Sequence, residues 1–267
     1  MVLAALLELA PAGVEQIDRG ALTEFAIYGA PGEVPDLGTQ EADVGGVRVD
    51  VRSTEVADDW AERWKEFHRP VEIGERVCVR PPWADPAEGL EDIVIDPGRA
   101  FGTAAHPTTR MCCELLLEAA DGGKAEGALA DLGSGTGVLA TLAVRLGWGP
   151  VIAVDHDAAA IEAVGLNAAA NGVEVEVQRV DLRRESPPRA ATVVANLTAD
   201  LLRTVAGGYV ERGEAPGLVI CSGVTEDQVD GVVGAFADAG FGVRDRRAES
   251  DWVALALNSR DGGRSGE

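Results

Sequence analysis

From residue 107 onward, short apolar runs alternate with segments whose apolar positions recur every three or four residues. That is the pattern of strands interleaved with amphipathic helices. ALADL (128–132), VIAVD (151–155), VEVEV (173–177), TVVAN (192–196) and LVICS (218–222) predict strands. A first helix opens at Pro107, where proline is tolerated at the first helical position, and runs to Ala119 before Gly122-Gly123. Further helices are predicted over 138–146, stopped by Gly147, and from an Asp157 cap to Ala170, ended by Asn171-Gly172. Two more follow at 199–207 and 226–239. FGVRDRR (241–247) and DWVALAL (251–257) have no helix between them and must pair antiparallel. The fold predicted is α/β: a doubly wound, mostly parallel seven-stranded sheet with helices on both faces.

The first eighty residues read differently. Strands are predicted at 13–18, 22–28 and 46–54, a short helix at 1–10, and a helix at 58–67 carrying Trp60, Trp64 and Phe67. The Pro- and Gly-rich stretch 29–45 reads as loop, and VEIGERVCVRPPW (71–83) as strand, turn and strand. The resulting division is a small α+β domain over 1–84, a linker and loop over 85–105, an α/β domain over 106–258, and a disordered polar tail over 259–267.

Charge changes the picture of partners. Lys plus Arg number 23 and Asp plus Glu 45, for a net charge of −22. Such an excess argues against a nonspecific grip on nucleic acid or anionic lipid and suits a cationic partner or plain solubility. No apolar run approaches the 18 or so residues of a membrane span. The N-terminus has no basic region ahead of its apolar residues, and Glu8 interrupts them, so it is a poor secretion signal. Cys78, Cys112, Cys113 and Cys221 lack C-x-x-C spacing and read as reduced core thiols of a cytoplasmic protein; no metal is expected.

The sharpest chemical signal is DLGSGTG, 131–137, between a predicted strand and helix. Gly133, Gly135 and Gly137 permit a tight turn and close ligand approach. Asp155 ends the next strand, 22 residues after Gly133, where an acidic side chain can accept from the ribose hydroxyls of an adenosine moiety. Val138 stands after Gly137, so the dinucleotide form G-x-G-x-x-G is broken, and a cofactor without pyrophosphate fits better than NAD. Asn196, at another strand end, either faces the same crevice or caps the next helix. Asp181 either contacts an adenine amine or is a solvated turn residue. The segment DPGRAFGTAAHPTTR (96–110) reaches a helix N-terminus where Thr108 or Thr109 can bind a carboxylate; a plain capping loop is the other reading.

Several motifs together resemble a known family. D-P-G-x-A-F-G-T-x-x-H-P-T-T at 96–109, D-L-G-S-G-T-G, V-D-H-D at 154–157, N-A-A-A-N-G at 167–172 and V-V-A-N-L at 193–197 are similar to the PrmA-type methyltransferases, which modify ribosomal protein L-eleven. D-W-A-E-R-W-K, I-G-E-R-V-C-V-R-P-P-W, S-G-V-T-E-D-Q-V, A-G-F and D-W-V-A-L-A-L extend the likeness in order over 58–257. The resemblance implies a catalytic domain that binds S-adenosylmethionine, preceded by a smaller ferredoxin-like domain, here shortened, that recognises the ribosomal protein. It implies cofactor contacts from Thr109, Gly133, Asp155 and Asn196, with Asp131, Gly135, Phe101, Gly102, Thr103 and His106 in the same motifs. Asn196 is the residue implied beside the reacting amine. Where the family has G-T-G-T-H, this chain has Gly102-Thr103-Ala104-Ala105-His106, a glycine and a threonine replaced by alanines.

The function expected is therefore S-adenosylmethionine-dependent methylation of amines on a basic ribosomal protein. The same chemistry on another protein or small amine, and a degenerate module without catalysis, are the alternatives.

Overall fold

The computed structural model describes residues 14–18, 23–27, 39–44, 47–52, 68–98, 102–213 and 215–260. The chain divides into two compact units, 1–64 and 65–267.

In the first unit the described residues form two antiparallel hairpins. β1 (Val14–Asp18) pairs with β2 (Thr23–Ile27), and β3 (Thr39–Val44) with β4 (Val47–Arg52). β3 corrects the sequence reading, which left 29–45 as loop. Val44 faces Val47 across a connection whose two residues are Gly45-Gly46, a dipeptide suited to the shortest hairpin turns. The expected helices at 1–10 and 58–67 lie outside the described residues, as does 261–267 of the expected tail.

The second unit begins with a three-stranded sheet of β5 (Val71–Ile73), β6 (Val77–Arg80) and β7 (Glu91–Val94), in that order. β7 runs parallel to β6 inside the stretch that its prolines suggested was linker. Ile93 and Ile95 are completely or almost completely buried, so this segment is core rather than tether. Residues 71–94 belong to the larger of the two compact units, which begins at residue 65.

The main sheet has seven strands in the order β10-β9-β8-β11-β12-β14-β13. They are β8 (Leu129–Leu132), β9 (Val151–Asp155), β10 (Glu176–Arg179), β11 (Thr192–Asn196), β12 (Leu218–Thr225), β13 (Phe241–Glu249) and β14 (Trp252–Ser259). β10, β9, β8, β11 and β12 are parallel; β14 is antiparallel to β12, and β13 to β14. β8 is buried at all four positions and β11 at its first four, which is why both read as largely apolar runs, Asp131 and Thr192 being the buried polar exceptions. The edge strand β10 is half exposed and lies at 176–179, overlapping only the last two residues of the Val-Glu repeat that sequence assigned to 173–177.

Five helices connect the strands: α1 (Pro107–Asp121), α2 (Val138–Leu146), α3 (Ala158–Ala170), α4 (Ala199–Arg212) and α5 (Val229–Asp238), the last preceded by a 3-10 turn at Glu226–Gln228. α1, α2 and α3 contribute to the core on one face of the sheet, through residues such as Leu116, Leu142 and Val164. α4 and α5 close the other face with Leu202, Val232 and Phe236. The order in which strands are added to the sheet reverses between the parallel neighbours β8 and β11, and the crevice at their carboxyl ends is where ligands bind in such sheets.

Candidate active site

Three elements meet at that crevice: the glycine turn after β8, the end of β9, and the end of β11. Gly133, Gly135 and Gly137 all have positive φ, at 71°, 51° and 80°. The turn is tied to the neighbouring strand because the amides of Gly133 and Ser134 both donate to the Val154 carbonyl, at 2.8 and 3.0 Å. A Cβ on Gly133 would lie 2.3 Å from Leu197 Cδ2, so a larger residue there would have to turn the Leu197 side chain aside.

Asp155 ends β9 beside the turn with its side chain 12% exposed. Its Oδ2 accepts from the Gly135 amide at 3.1 Å and its Oδ1 from the Asp157 amide at 3.0 Å. Each carboxylate oxygen accepts more than one bond, so the group that shapes the turn retains capacity for hydroxyl donors.

Asn196 ends β11, and one of its two readings, a cap on the next helix, is excluded. Its side chain does not cap α4; Nδ2 donates to both Thr108 Oγ1 and Thr109 Oγ1 at 3.1 Å. Both amide hydrogens are thus committed to the first turn of α1, and both threonines are buried. Among the described residues Oδ1 makes no hydrogen bond, so the atom Asn196 offers a ligand is an acceptor. Thr108 is itself held: His106, the N-cap of α1, accepts from the Thr108 amide through Nδ1, which lies 2.8 Å from Thr108 Oγ1. Burial, then the nearby Arg110 charge, lowers the His106 pKa and keeps the ring neutral, while Trp252 packs against it edge-on at 5.1 Å.

The other sequence candidates divide. Gly102 has φ 103°, and its carbonyl accepts from the Thr136 hydroxyl. Thr103 is half-buried and lines a small cavity with Arg80, Ile95 and Pro97, away from the Asn196 bonds. Phe101 lies outside the described residues. Asp131 is completely buried beneath the turn, where Oδ2 accepts from the Ala140 amide in α2 at 3.1 Å and Oδ1 finds no partner. It braces the start of α2 and is sealed from the crevice. Asp181 is a turn residue, accepting from the Arg183 amide and pairing with Arg183 and Arg184. Ala104, where glycine was expected, has φ 63° with its side chain fully buried. An alanine there bears about 1–2 kcal/mol of left-handed strain, partly offset by about 0.8 kcal/mol from methyl burial.

Sequence reasoning missed Thr136, Gly223 and Asn167. The last had a signal: asparagines four apart inside a helical segment occupy one face, and buried amides there need partners. Among the described residues no three His, Cys, Asp or Glu side chains gather to hold a metal, and no helix is long and apolar enough to cross a membrane. All four cysteines are free and buried.

The family model described as "Ribosomal protein L11 methyltransferase (PrmA)" matches residues 33–260. The chain belongs to the PrmA family. The PrmA relative from Geobacter sulfurreducens is 36% identical over 257 residues, 92% of this chain and 84% of its own length. That from Heliobacterium modesticaldum is 38% identical over 202 residues, 74% of this chain. The chain spans 63% of the length of that second relative. Among solved structures, the ribosomal protein L11 methylase from Lactobacillus delbrueckii subsp. bulgaricus aligns with a TM-score of 0.63 and 25% identity, covering 72% of this chain and 99% of its own. The PrmA match begins upstream of β3 and ends beyond β14, so it takes in the whole seven-stranded sheet and every strand-end residue described above.

Proposed function

We propose that this chain is an S-adenosylmethionine-dependent protein N-methyltransferase acting on amines of ribosomal protein L11, at work among cytoplasmic ribosomal components. The observation that carries the reading is the orientation of Asn196. With Nδ2 committed to Thr108 and Thr109, Oδ1 is the atom left to meet a substrate, and an acceptor there suits an amine N–H.

The donor set fits the cofactor. Asp155 offers carboxylate acceptors to a pair of ribose hydroxyls, the positive-φ turn of Gly133 and Gly135 presents backbone without Cβ atoms, and Val138 begins α2 where a pyrophosphate site would need glycine. The threonine pair at the start of α1 stands by the same crevice, with Gly102 anchored nearby through Thr136. When bound, S-adenosylmethionine supplies an electrophilic methyl group.

The chain's own contribution is placement and desolvation. A lysine amine with its ordinary pKa of about 10.4 is protonated at neutral pH and has no lone pair to give. Moving it into the apolar crevice lowers that value. Oδ1 of Asn196 accepts one amine N–H and leaves the lone pair directed elsewhere. Fixing the amine against Oδ1 of Asn196 is the orientation by which the chain would convert binding into rate. The proton leaves to water, since among the described residues no side chain at the site stands out as a dedicated base.

Incubation of purified L11 with the protein and S-adenosylmethionine, followed by mass spectrometry, should show whole methyl increments on lysine or N-terminal amines. Asn196→Ala should lower kcat by about a hundredfold, the scale of a misplaced reactant. Unmodified L11 alongside methylation of a different protein would replace the substrate assignment.

A further inference from the structure

Asparagine is a poor residue for the middle of a helix and a costly one to bury. Yet α3 ends with two buried asparagines one turn apart, Asn167 and Asn171, 3% and 6% exposed. Each binds backbone as a strand would. Asn171 Oδ1 accepts from the Val94 amide at 2.8 Å, and its Nδ2 donates to the Val94 carbonyl at 2.6 Å. Asn167 Oδ1 accepts from the Asp96 amide at 2.9 Å, and its Nδ2 donates to the Asp96 carbonyl at 3.3 Å. The spacing explains the match: four helical residues rise about 6 Å, and two strand residues about 6.6 Å. The pair therefore clasps the exit of β7.

The two asparagines differ in one respect. The remaining Asn171 hydrogen goes to the Asn167 carbonyl at 2.7 Å and stays within the helix end. Asn167 Nδ2 instead donates to the Thr136 carbonyl at 2.9 Å, inside the glycine turn. Thr136, completely buried, donates its hydroxyl to the Gly102 carbonyl. A continuous chain of bonds therefore runs Asp96–Asn167–Thr136–Gly102.

We propose that Asn167 is a positioning residue for the cofactor site, locking the glycine turn in register with the segment that runs from β7 toward Gly102, Thr108 and Thr109. The inference rests on the methyltransferase reading above and extends it to a side chain that touches no ligand. An Asp at this position would set a carboxylate against the Thr136 and Asp96 carbonyls, so the donor, and not the shape alone, is what the site uses.

Calorimetric titration with S-adenosylhomocysteine, combined with thermal melts, tests this. Asn167→Ala should weaken binding about tenfold or more, whereas Asn171→Ala should lower Tm comparably and leave Kd within about twofold. Thr136→Val cuts the same chain at Gly102 while leaving the Asn167 bonds in place, and should also weaken binding; it serves as the readout if Asn167→Ala does not fold. Thr136→Ser, which keeps the hydroxyl, should bind like the wild type. Losses of affinity that follow Tm equally in the Asn167 and Asn171 variants, or an unchanged Kd in Asn167→Ala or Thr136→Val, overturn the proposal. A wild-type protein that binds no S-adenosylhomocysteine defeats the cofactor reading itself, before any variant is compared.

Discussion

Asp131 shows what one buried carboxyl can report. Burial, opposed by the Ala140 amide and reinforced by the Asp155 charge, pushes its pKa from 3.8 up to about 7. Folding therefore takes up a proton between those two values. The stabilisation is complete below about pH 3.8, where the carboxyl is protonated in both states, and fades as pH rises to about 7. Asp131→Asn cannot ionise and escapes that loss. The Tm of the variant relative to wild type should rise by about 5 °C or more between pH 4 and 7 and then level off; a flat difference across that range would show that the carboxyl is not strained by burial. Residues of this kind separate what was legible in the sequence from what was not. That Asp155 and Asn196 end strands and Thr109 opens a helix could be read from local pattern, because strand ends and helix starts converge on one crevice in any doubly wound sheet. That Asp131 is sealed below the turn depended on how α2 packs over it, and the Asn167 bonds depended on Asp96, just past β7 and 71 residues away, so neither was visible from local pattern.

At the level of the element, Asn196 owes its position to an irregularity in β12. The register of β12 against β14 shifts between Cys221 and Val224, a bulge that the sequence S-G-V-T only hints at. Gly223 sits in it with φ 89°, and a Cβ there would lie 2.3 Å from the Leu197 carbonyl oxygen and 2.9 Å from its carbon. Those neighbours are backbone and cannot rotate away. Ser222 meanwhile accepts the Leu197 amide at 3.0 Å through its carbonyl, so the bulge and the residue after Asn196 are packed directly together. Gly223→Ala should displace the 196–198 backbone and reduce kcat by about tenfold to a hundredfold. Gly234→Ala, in α5 with open space around it, should leave kcat unchanged and serves as the comparison. Equal activity in both variants would mean that the bulge does not place Asn196. The same scale explains the strands that sequence misplaced. β3 is too polar, and β7 too close to prolines, for intrinsic preference to reveal them; pairing with β4 and β6 and the burial of Ile93 decide the matter. β8, β9, β11 and β12 were plain because a strand covered on both faces is mostly apolar, with buried Asp131, Thr192 and Ser222 as the exceptions.

For the whole molecule the governing quantity is the charge of −22. Arginines of the larger unit are largely engaged by its own carboxylates: Arg247 by Glu114 and Glu118, Arg246 by Glu226, Arg110 by Glu249, and Arg80 by Asp92. The first three sets tie β13 to α1 and to the 3-10 turn and the last ties β6 to β7, and together they leave the acidic surplus unneutralised. Exposed pairs add little stability each, so the surplus acts chiefly as a long-range field, one that attracts a basic protein and repels nucleic acid. Such a field raises the encounter rate more than it strengthens the final contacts, and salt screens it over about 10 Å at 0.1 M. Raising ionic strength from 50 to 300 mM should therefore lower kcat/KM for L11 by about tenfold, with the loss in KM and little change in kcat. Binding of S-adenosylhomocysteine, held by short-range bonds inside the crevice, should be insensitive to the same change. A matching salt dependence for cofactor and protein substrate would place the effect in the fold instead, because self-repulsion among 45 carboxylates also weakens with salt and would then be altering the site itself.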